Sequence, residues 1–200
     1  FSADNGPAHY AYDRDEKFDH WSSHPFRGVK RDVYEGGHRV PFIVKWPGVT
    51  KAGTVSDALV SQIDIMATIA DFVGYKLPDD QAKDSHNLAP LLRGDVDAVR
   101  TTHIHNTTNT QFAIRHGDWV LIDAKEGYCK AHDEAEAWEE KHGYPDDDDQ
   151  PAELFNLVED IGQRNNLAAE HPERVAELQS LLKQIHDCLL YTSPSPRDLP

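Results

Sequence analysis

The sequence predicts an α/β fold whose strand-and-helix core is followed by a small α+β subdomain, an antiparallel sheet with one packing helix. Three patterns support this prediction: an apolar run after an early turn, a helical stripe after that run, and a later pair of β-like runs around a tight turn. We place the core in residues 1–100 and the subdomain in residues 101–187, and we find no internal repeat.

The composition narrows the classes of partner. The chain has 200 residues, of which 38% are hydrophobic, and this suffices for a packed core. Its formal net charge is −15 with histidine neutral, which argues against a nucleic acid or an anionic membrane as the partner. No apolar run approaches the ~20 residues that a membrane-spanning helix needs. The composition leaves the oligomeric state open.

The amino-terminal residues have the pattern of a strand end that runs into a loop. Phe1-Ser2-Ala3 leads into Asp4-Asn5-Gly6-Pro7, which is a strong turn signal. Residues 8–28 are polar, rich in His and Asp, and without periodicity, so they are predicted to form a long loop. Residues 39–46 are then predicted to form a short buried strand, which ends at Pro47-Gly48.

Two helices are predicted in the rest of the core. Residues 57–74 carry the better pattern, an apolar stripe with Gly74 as the C-cap. The stripe consists of Leu59, Ile63, Met66, Ile69 and Phe72. Residues 88–92 are predicted to form a short helix that stops at Gly94. Asp64 is expected to order the first of these helices rather than to take part in chemistry.

The subdomain is predicted to contain a hairpin, a further strand and a terminal helix. Residues 112–115 and 119–122 form two β-like runs around His116-Gly117-Asp118, which is typical of a hairpin. Residues 153–157 are predicted to form another strand. Residues 172–185 are predicted to form an amphipathic helix that directs Val175, Leu178, Leu181 and Leu182 inward.

Two stretches of the second half lack these patterns. Residues 124–151 are acidic and predicted to be irregular, and the adjacent carboxylates of residues 146–149 favour a solvated loop over a cation site. From Cys188 the sequence resembles the translation of an adaptor used in sequencing libraries, so residues 188–200 are predicted to be a non-native tail. Cys129 is then the only other cysteine, and no intrachain disulfide is predicted.

Two short clusters contain the candidate site residues. The adjacent carboxylate and amide of Asp4-Asn5 suit a hard cation such as Ca²⁺, although this pair before a glycine is, taken alone, more typical of a plain turn. In the second cluster Lys30 precedes Gly36-Gly37, and adjacent glycines permit a close backbone approach or a positive φ. A lysine held there can act as a point charge for a tetrahedral anion. A surface lysine beside a flexible loop is the alternative.

Together these motifs resemble the second half of the formylglycine-dependent sulfatases, which belong to the alkaline-phosphatase-like superfamily. The motifs occur in order as Asp4-Asn5-Gly6, Arg27-Gly28, Lys30, Glu35-Gly36-Gly37, Arg39, Pro41 and Trp46-Pro47-Gly48, followed by residues 59–68, 88–94, 112–115 and 153–157. The resemblance covers nearly all of residues 1–185. It implies part of an alkaline-phosphatase-like core and an arylsulfatase-like activity on aryl or carbohydrate sulfate esters.

The resemblance also implies roles for individual residues. Asp4 and Asn5 would be two of the ligands of Ca²⁺. Lys30 would contact the sulfate and act in catalysis by electrostatic stabilisation, while Ca²⁺ acts as a Lewis acid. His9 and His105 are candidates for contact with the substrate, with a solvent-exposed loop histidine as the alternative for His9 and a plain surface role as the alternative for His105.

The remaining motif residues are expected to support the site. Arg27 would brace its loop, and Glu35 with Arg39 would hold the Gly-Gly turn by hydrogen bonds and ion pairing. The resemblance places the family's C/S-x-P-x-R segment, which yields the formylglycine, and its other calcium ligands in the family's first half, whereas the motifs matched here belong to its second half. The chain alone is therefore expected to be inactive, whereas the full-length parent would be the enzyme.

Two alternative functions remain open. One is a phosphodiesterase or phosphonate hydrolase of the same superfamily, against which the block of residues 27–37 argues. The other is a catalytically inactive, calcium-dependent module that binds sulfated glycans, and an upstream C/S-x-P-x-R segment would exclude it. The resemblance and the lone cysteine outside the tail indicate a periplasmic or secreted protein. The natural substrate stays open.

Overall fold

The computed structural model of the chain describes residues 1–108, 110–129, 133–145 and 150–190. Its elements are, in order, α1 (Ala11–Phe18), α2 (Glu35–His38), α3 (Asp64–Phe72), α4 (Ala89–Arg93), β1 (Thr102–Thr108), β2 (Gln111–His116), β3 (Trp119–Ile122), α5 (Asp133–His142), β4 (Glu153–Asn156) and α6 (Pro172–Leu190). The described residues form two compact units, residues 1–43 with 104–180, and residues 44–103 with 181–190. The first unit contains β2 to β4 and both clusters of candidate site residues.

The sheet has the strand order β1-β2-β3-β4. β2 and β3 are antiparallel with His116 opposite Trp119, so that only Gly117 and Asp118 close the hairpin. Gly117 has φ +59°, in the left-handed region that tight hairpin turns use. β4 pairs antiparallel with β3. The predicted hairpin and the predicted strand at residues 153–157 are therefore confirmed.

Two helices lie in segments that were predicted to be irregular. α1 lies within residues 8–28 and α5 lies within residues 124–151, and the two helices contact each other. Asp15 of α1 is buried, and its Oδ2 lies 2.9 Å from Lys141 Nζ and 2.8 Å from His142 Nε2, both in α5. The loop predictions are wrong because they relied on a helical period of apolar side chains. At the contact between these two helices the buried side chain is a carboxylate with ion-pair partners, which such a period does not detect.

Arg27 lies near the centre of the first unit and is almost fully buried. Its Nε donates to Glu139 Oε1 at 2.8 Å, and its Nη1 lies 3.4 Å from Glu153 Oε1. The guanidinium carbon is 4.1 Å from the ring centroid of Tyr34, whose hydroxyl donates to Glu153 Oε2 at 2.8 Å and accepts the Gly127 N–H at 3.0 Å. This network of ion pairs and ring contacts braces the Arg27 loop against β4, as expected from the sequence.

Replacing Tyr34 by Phe should destabilise the first unit by about 1–3 kcal/mol, because the buried Gly127 N–H and Glu153 carboxylate both lose this hydroxyl. Burial raises the pKa of Tyr34 well above its usual value, so the hydroxyl stays protonated and remains a donor. The measurement is the free energy of unfolding in urea. Tyr10→Phe is the matched control, because Tyr10 is exposed. Equal unfolding free energies for the two variants would contradict this role of Tyr34.

In the second unit α3 begins at Asp64, later than the predicted helix at residue 57. Asp64 is fully buried, its Oδ2 accepts the Ser61 N–H at 2.8 Å, and its Oδ1 accepts the His86 N–H at 2.9 Å. The same carboxylate pairs with Arg100, which is also buried. Asp64 therefore orders the start of its helix, as predicted.

The apolar stripe of α3 is exposed in this chain. Ile63, Met66, Ile69 and Phe72 are between 39% and 61% exposed, whereas the buried positions of the helix include Thr68 and Ala70. The apolar stripe therefore predicts the helix correctly, but it does not predict which face of the helix packs against other described residues. The next helix, α4, ends at a left-handed glycine as the sequence predicts.

Residues 39–46 do not form the predicted buried strand. Their pairing among the described residues is a single antiparallel bridge between Ser2 and Phe42, with the Ile43 N–H donating to Phe1 O at 2.9 Å. Phe42 is 36% exposed and Ile43 is 61% exposed. A buried strand needs neighbours on its edges and cover on its faces. In the part of the chain that the structure describes, only the short amino-terminal segment fills this role.

The terminal helix confirms the prediction for residues 172–185 and continues through Leu190, into the segment predicted to be a tail. Leu178 and Leu182 are buried, as predicted. Residues 191–200, and the solvated loop predicted at residues 146–149, lie outside the described residues. Among the helices that the structure describes, none has both the length and the apolar character to cross a membrane.

Candidate active site

The two clusters of candidate residues meet through main-chain hydrogen bonds. The Gly6 N–H donates to Gly37 O at 2.9 Å, which joins the turn after Asp4-Asn5 to α2. The Lys30 N–H donates to Pro7 O at 2.7 Å, which joins the same turn to the lysine loop. The structure therefore brings the segments that carry the predicted calcium ligands and the predicted sulfate contact side by side.

Glycine is required for this approach. A Cβ on Gly6 would lie 1.9 Å from Gly36 O, one on Gly36 would lie 2.2 Å from Gly28 O, and one on Gly37 would lie 2.1 Å from Asp32 O. Gly28 itself has φ +81°, which favours glycine. We call Gly6, Gly28, Gly36 and Gly37 the glycine cluster. It confirms the close backbone approach that the adjacent glycines predict.

Three candidate site residues lie on the segments that the glycine cluster joins. Asp4 and Lys30 are exposed and Asn5 is partly exposed, and no side-chain hydrogen bond or ion pair joins any of them to a described residue. Carboxylate and amide oxygens fit a hard cation, but Ca²⁺ takes about six to eight oxygen ligands. The described ranges contain no group of three or more His, Cys, Asp or Glu side chains that could hold a metal. Asp4 and Asn5 fit a part of a calcium site.

Buried polar residues fix the main chain behind the glycine cluster. The carboxylate of buried Glu35 accepts a hydrogen bond from Arg39 at 2.9 Å, the ion pair predicted for this turn. The Glu35 N–H donates to Gln163 Oε1 at 2.7 Å, and Asp32 Oδ2 accepts the Val29 N–H at 2.8 Å. Neither Asp32 nor Gln163 was predicted from the sequence. No local pattern could mark Gln163, because its partner is 128 positions away.

The two histidine candidates differ in their surroundings. His9 is exposed, and its ring makes an edge contact with Tyr10 at a centroid distance of 5.8 Å. His105 is packed inward, with Nε2 2.9 Å from Val33 O and its ring centroid 3.8 Å from that of His38. His38 was not singled out in the sequence, because a histidine after two glycines carries no signal by itself. Contact of His9 or His105 with a substrate stays a prediction.

Comparisons with known proteins identify relatives of this chain. A family model described as Sulfatase matches residues 1–75. The N-acetylgalactosamine-6-O-sulfatase of Bacteroides thetaiotaomicron is 33% identical over 189 residues, which cover 92% of this chain and 35% of that protein. Human arylsulfatase D is 37% identical over 94 residues, which cover 47% of this chain and 16% of that protein. The chain thus spans about a third of the length of the Bacteroides relative.

Solved structures show the same relationship. A Bacteroides thetaiotaomicron protein described with the metabolism of multiple glycosaminoglycans matches with a TM-score of 0.70 and 31% identity, over 92% of this chain and 38% of that chain. A Pseudoalteromonas sulfatase at 23% identity shows the fold alone, with a TM-score of 0.73 over 97% of this chain and 37% of its own. The architecture is therefore part of the alkaline-phosphatase-like α/β fold. Within that class, the chain belongs to the sulfatase family.

Proposed function

We propose that the protein to which this chain belongs is a calcium-dependent sulfuric ester hydrolase that acts on an aryl or carbohydrate sulfate. One observation carries the proposal. The glycine cluster joins the segments of Asp4, Asn5 and Lys30, whose side chains have no hydrogen-bond partner among the described residues. This reaction requires oxygen ligands for a hard cation and an ammonium group for an anion, and the two adjoining segments carry both.

Each of these residues has a distinct role in the proposal. Asp4 and Asn5 hold Ca²⁺ as two of its ligands, and Lys30 binds the sulfate group. Bound Ca²⁺ supplies a Lewis acid for a sulfate oxygen. Lys30 places its positive charge where negative charge develops on the leaving oxygen, so it stabilises the transition state more than the ground state. The nucleophile of the proposal is a formylglycine outside this sequence, so the chain alone is inactive.

A carbohydrate sulfate is the substrate class that the relatives favour, because the relative matched over 92% of this chain is an N-acetylgalactosamine-6-O-sulfatase. A sugar extends beyond the sulfate group and needs further contacts. Exposed His9 is the proposed sugar contact, whereas the ring of His105 is already engaged by Val33 and His38. The family resemblance also supports a periplasmic or secreted location.

The test is turnover by the full-length protein, produced in a host that makes formylglycine. Release of the phenol from a chromogenic aryl sulfate, and of sulfate from 6-sulfated N-acetylgalactosamine, is measured with and without a calcium chelator. We expect turnover that is lost on chelation and restored by calcium. Turnover that persists in chelator would contradict the metal role. Bound calcium with no turnover of either ester would favour the glycan-binding alternative, and faster cleavage of an aryl phosphodiester would favour the other rival.

A further inference from the structure

His105 makes contacts that the proposed sulfatase reaction does not explain. It lies in β1, yet it contacts Val33, which precedes α2, and packs its ring against His38, the last residue of α2. Its Nε2 is 2.9 Å from Val33 O, and its ring centroid is 3.8 Å from that of His38. A carbonyl oxygen only accepts hydrogen bonds, so the Nε2 of His105 carries the hydrogen and donates it.

These two contacts are coupled to the loop that precedes α1. Val33 comes just before α2 and His38 is the last residue of α2. Between them, Gly37 accepts the Gly6 N–H at 2.9 Å. A displacement of α2 would therefore move the acceptor that holds the turn after the predicted calcium ligands. The main-chain segments of the glycine cluster are in such close contact that a displacement of α2 would also shift the neighbouring segments.

We propose that His105 is a positioning residue of the sulfatase site. Its Nε2–H holds the Val33 carbonyl and its ring holds His38, and together these contacts fix α2 and the glycine cluster. The inference rests on the proposed function and adds a residue that touches neither the calcium nor the sulfate. Residues that support metal ligands from behind change metal affinity or activity by about 10–100-fold when they are removed.

The surroundings of His105 favour its neutral form, which suits this role. Burial lowers the pKa of His105, while the Val33 carbonyl and the charge of Glu35 act in the opposite direction. A neutral ring with its hydrogen on Nε2 offers one donor, and the Val33 carbonyl is placed to accept it.

Two substitutions in the full-length protein separate positioning from substrate contact. His105→Leu removes the donor, whereas His105→Gln keeps an N–H that can reach the Val33 carbonyl. We expect His105→Leu to lower calcium affinity and kcat by about 10-fold or more, with KM for an aryl sulfate changed by less than about twofold. His105→Gln should restore most of both losses. His20→Leu, at an exposed histidine, is the matched control and should behave as wild type.

Amide hydrogen exchange supplies a readout that does not depend on sulfatase activity. Peptides that cover residues 1–10 and 33–40 should exchange faster in His105→Leu than in wild type or His105→Gln, at equal thermal midpoints. Unchanged exchange in His105→Leu would overturn the positioning role, and a rise in KM alone would assign His105 to the substrate. A wild-type protein that binds no calcium would overturn the proposed function, and the exchange result would still decide the role of His105.

Discussion

Replacing Lys30 by Ala in the full-length protein should lower kcat by about 10²-fold or more, the effect expected for one electrostatic stabiliser of the transition state. Calcium content should stay that of the wild type. The side chain of Lys30 is exposed and bonds to no described residue, so its removal disturbs no packing. The main-chain hydrogen bond from Lys30 to Pro7 O does not depend on the side chain and is kept. The measurements are kcat and KM on a sulfated chromogenic phenol, together with bound calcium.

Lys51→Ala is the matched control for this experiment. Lys51 is an exposed loop lysine of the second unit, and its substitution should leave kcat and calcium content unchanged. Normal turnover in Lys30→Ala would remove Lys30 from the mechanism. A joint loss of calcium and turnover would instead make Lys30 a support of the metal site.

Replacing Gly6 by Ala should abolish calcium binding and lower kcat/KM by at least about 10²-fold, the cost of an ångström-scale misplacement of a site. The added Cβ would lie 1.9 Å from Gly36 O. This overlap is with main-chain atoms, so no side-chain rotation relieves it. The turn must move away from α2, and the Gly6–Gly37 hydrogen bond of 2.9 Å is lost. Calcium titration and turnover measure the effect, and circular dichroism checks that the rest of the protein is folded.

Gly162→Ala is the control for the added methyl group. The nearest atom to a Cβ on Gly162 is Pro25 O at 3.4 Å, an ordinary contact distance, and Gly162 is not among the glycines with positive φ. This variant should bind calcium and turn over substrate as the wild type does. Full calcium binding by Gly6→Ala would show that the metal loop does not depend on the close approach.

Sequence patterns predicted the elements whose determining contacts are local. The hairpin follows from two β-like runs and from Gly117, whose positive φ closes a two-residue turn. α4 ends at Gly94 and α6 buries Leu178, as the cap signal and the apolar period indicate. In each case the residues that decide the structure lie within a few positions of one another.

Patterns failed where the deciding contact is distant in the sequence. Asp15 of α1 is buried against Lys141 and His142 of α5, which lie 126 and 127 positions away. The contact between the two helices is therefore polar, and a search for a period of apolar residues does not detect it. The start of α3 depends on Asp64, which is buried by its pairing with Arg100. Which face of that helix is covered depends on neighbours that no local window contains.

The sequence selected the candidate site residues, but it did not predict how the structure holds their segments together. Motif resemblance selected Asp4, Asn5 and Lys30, and the structure adds the reason why their segments adjoin. That reason is the contact of glycines in separate segments, together with Gln163 and His105 from far along the chain. Long-range hydrogen bonds of this kind leave no period or spacing that a single sequence can show.

The glycine cluster also determines at which stage the loop that contains Asp4 and Asn5 loses its conformational entropy. Main chain packed on main chain leaves no rotamers to arrange, so the conformational entropy of shaping the Asp4 loop is lost on folding and not when a ligand arrives. Such preorganisation favours affinity, because binding then carries a smaller ordering cost. The same preorganisation makes the geometry of the proposed cation site independent of the side chains proposed to contact the substrate. In the proposed enzyme, substrate preference could then be altered at exposed His9 while the geometry offered to the cation stays unchanged.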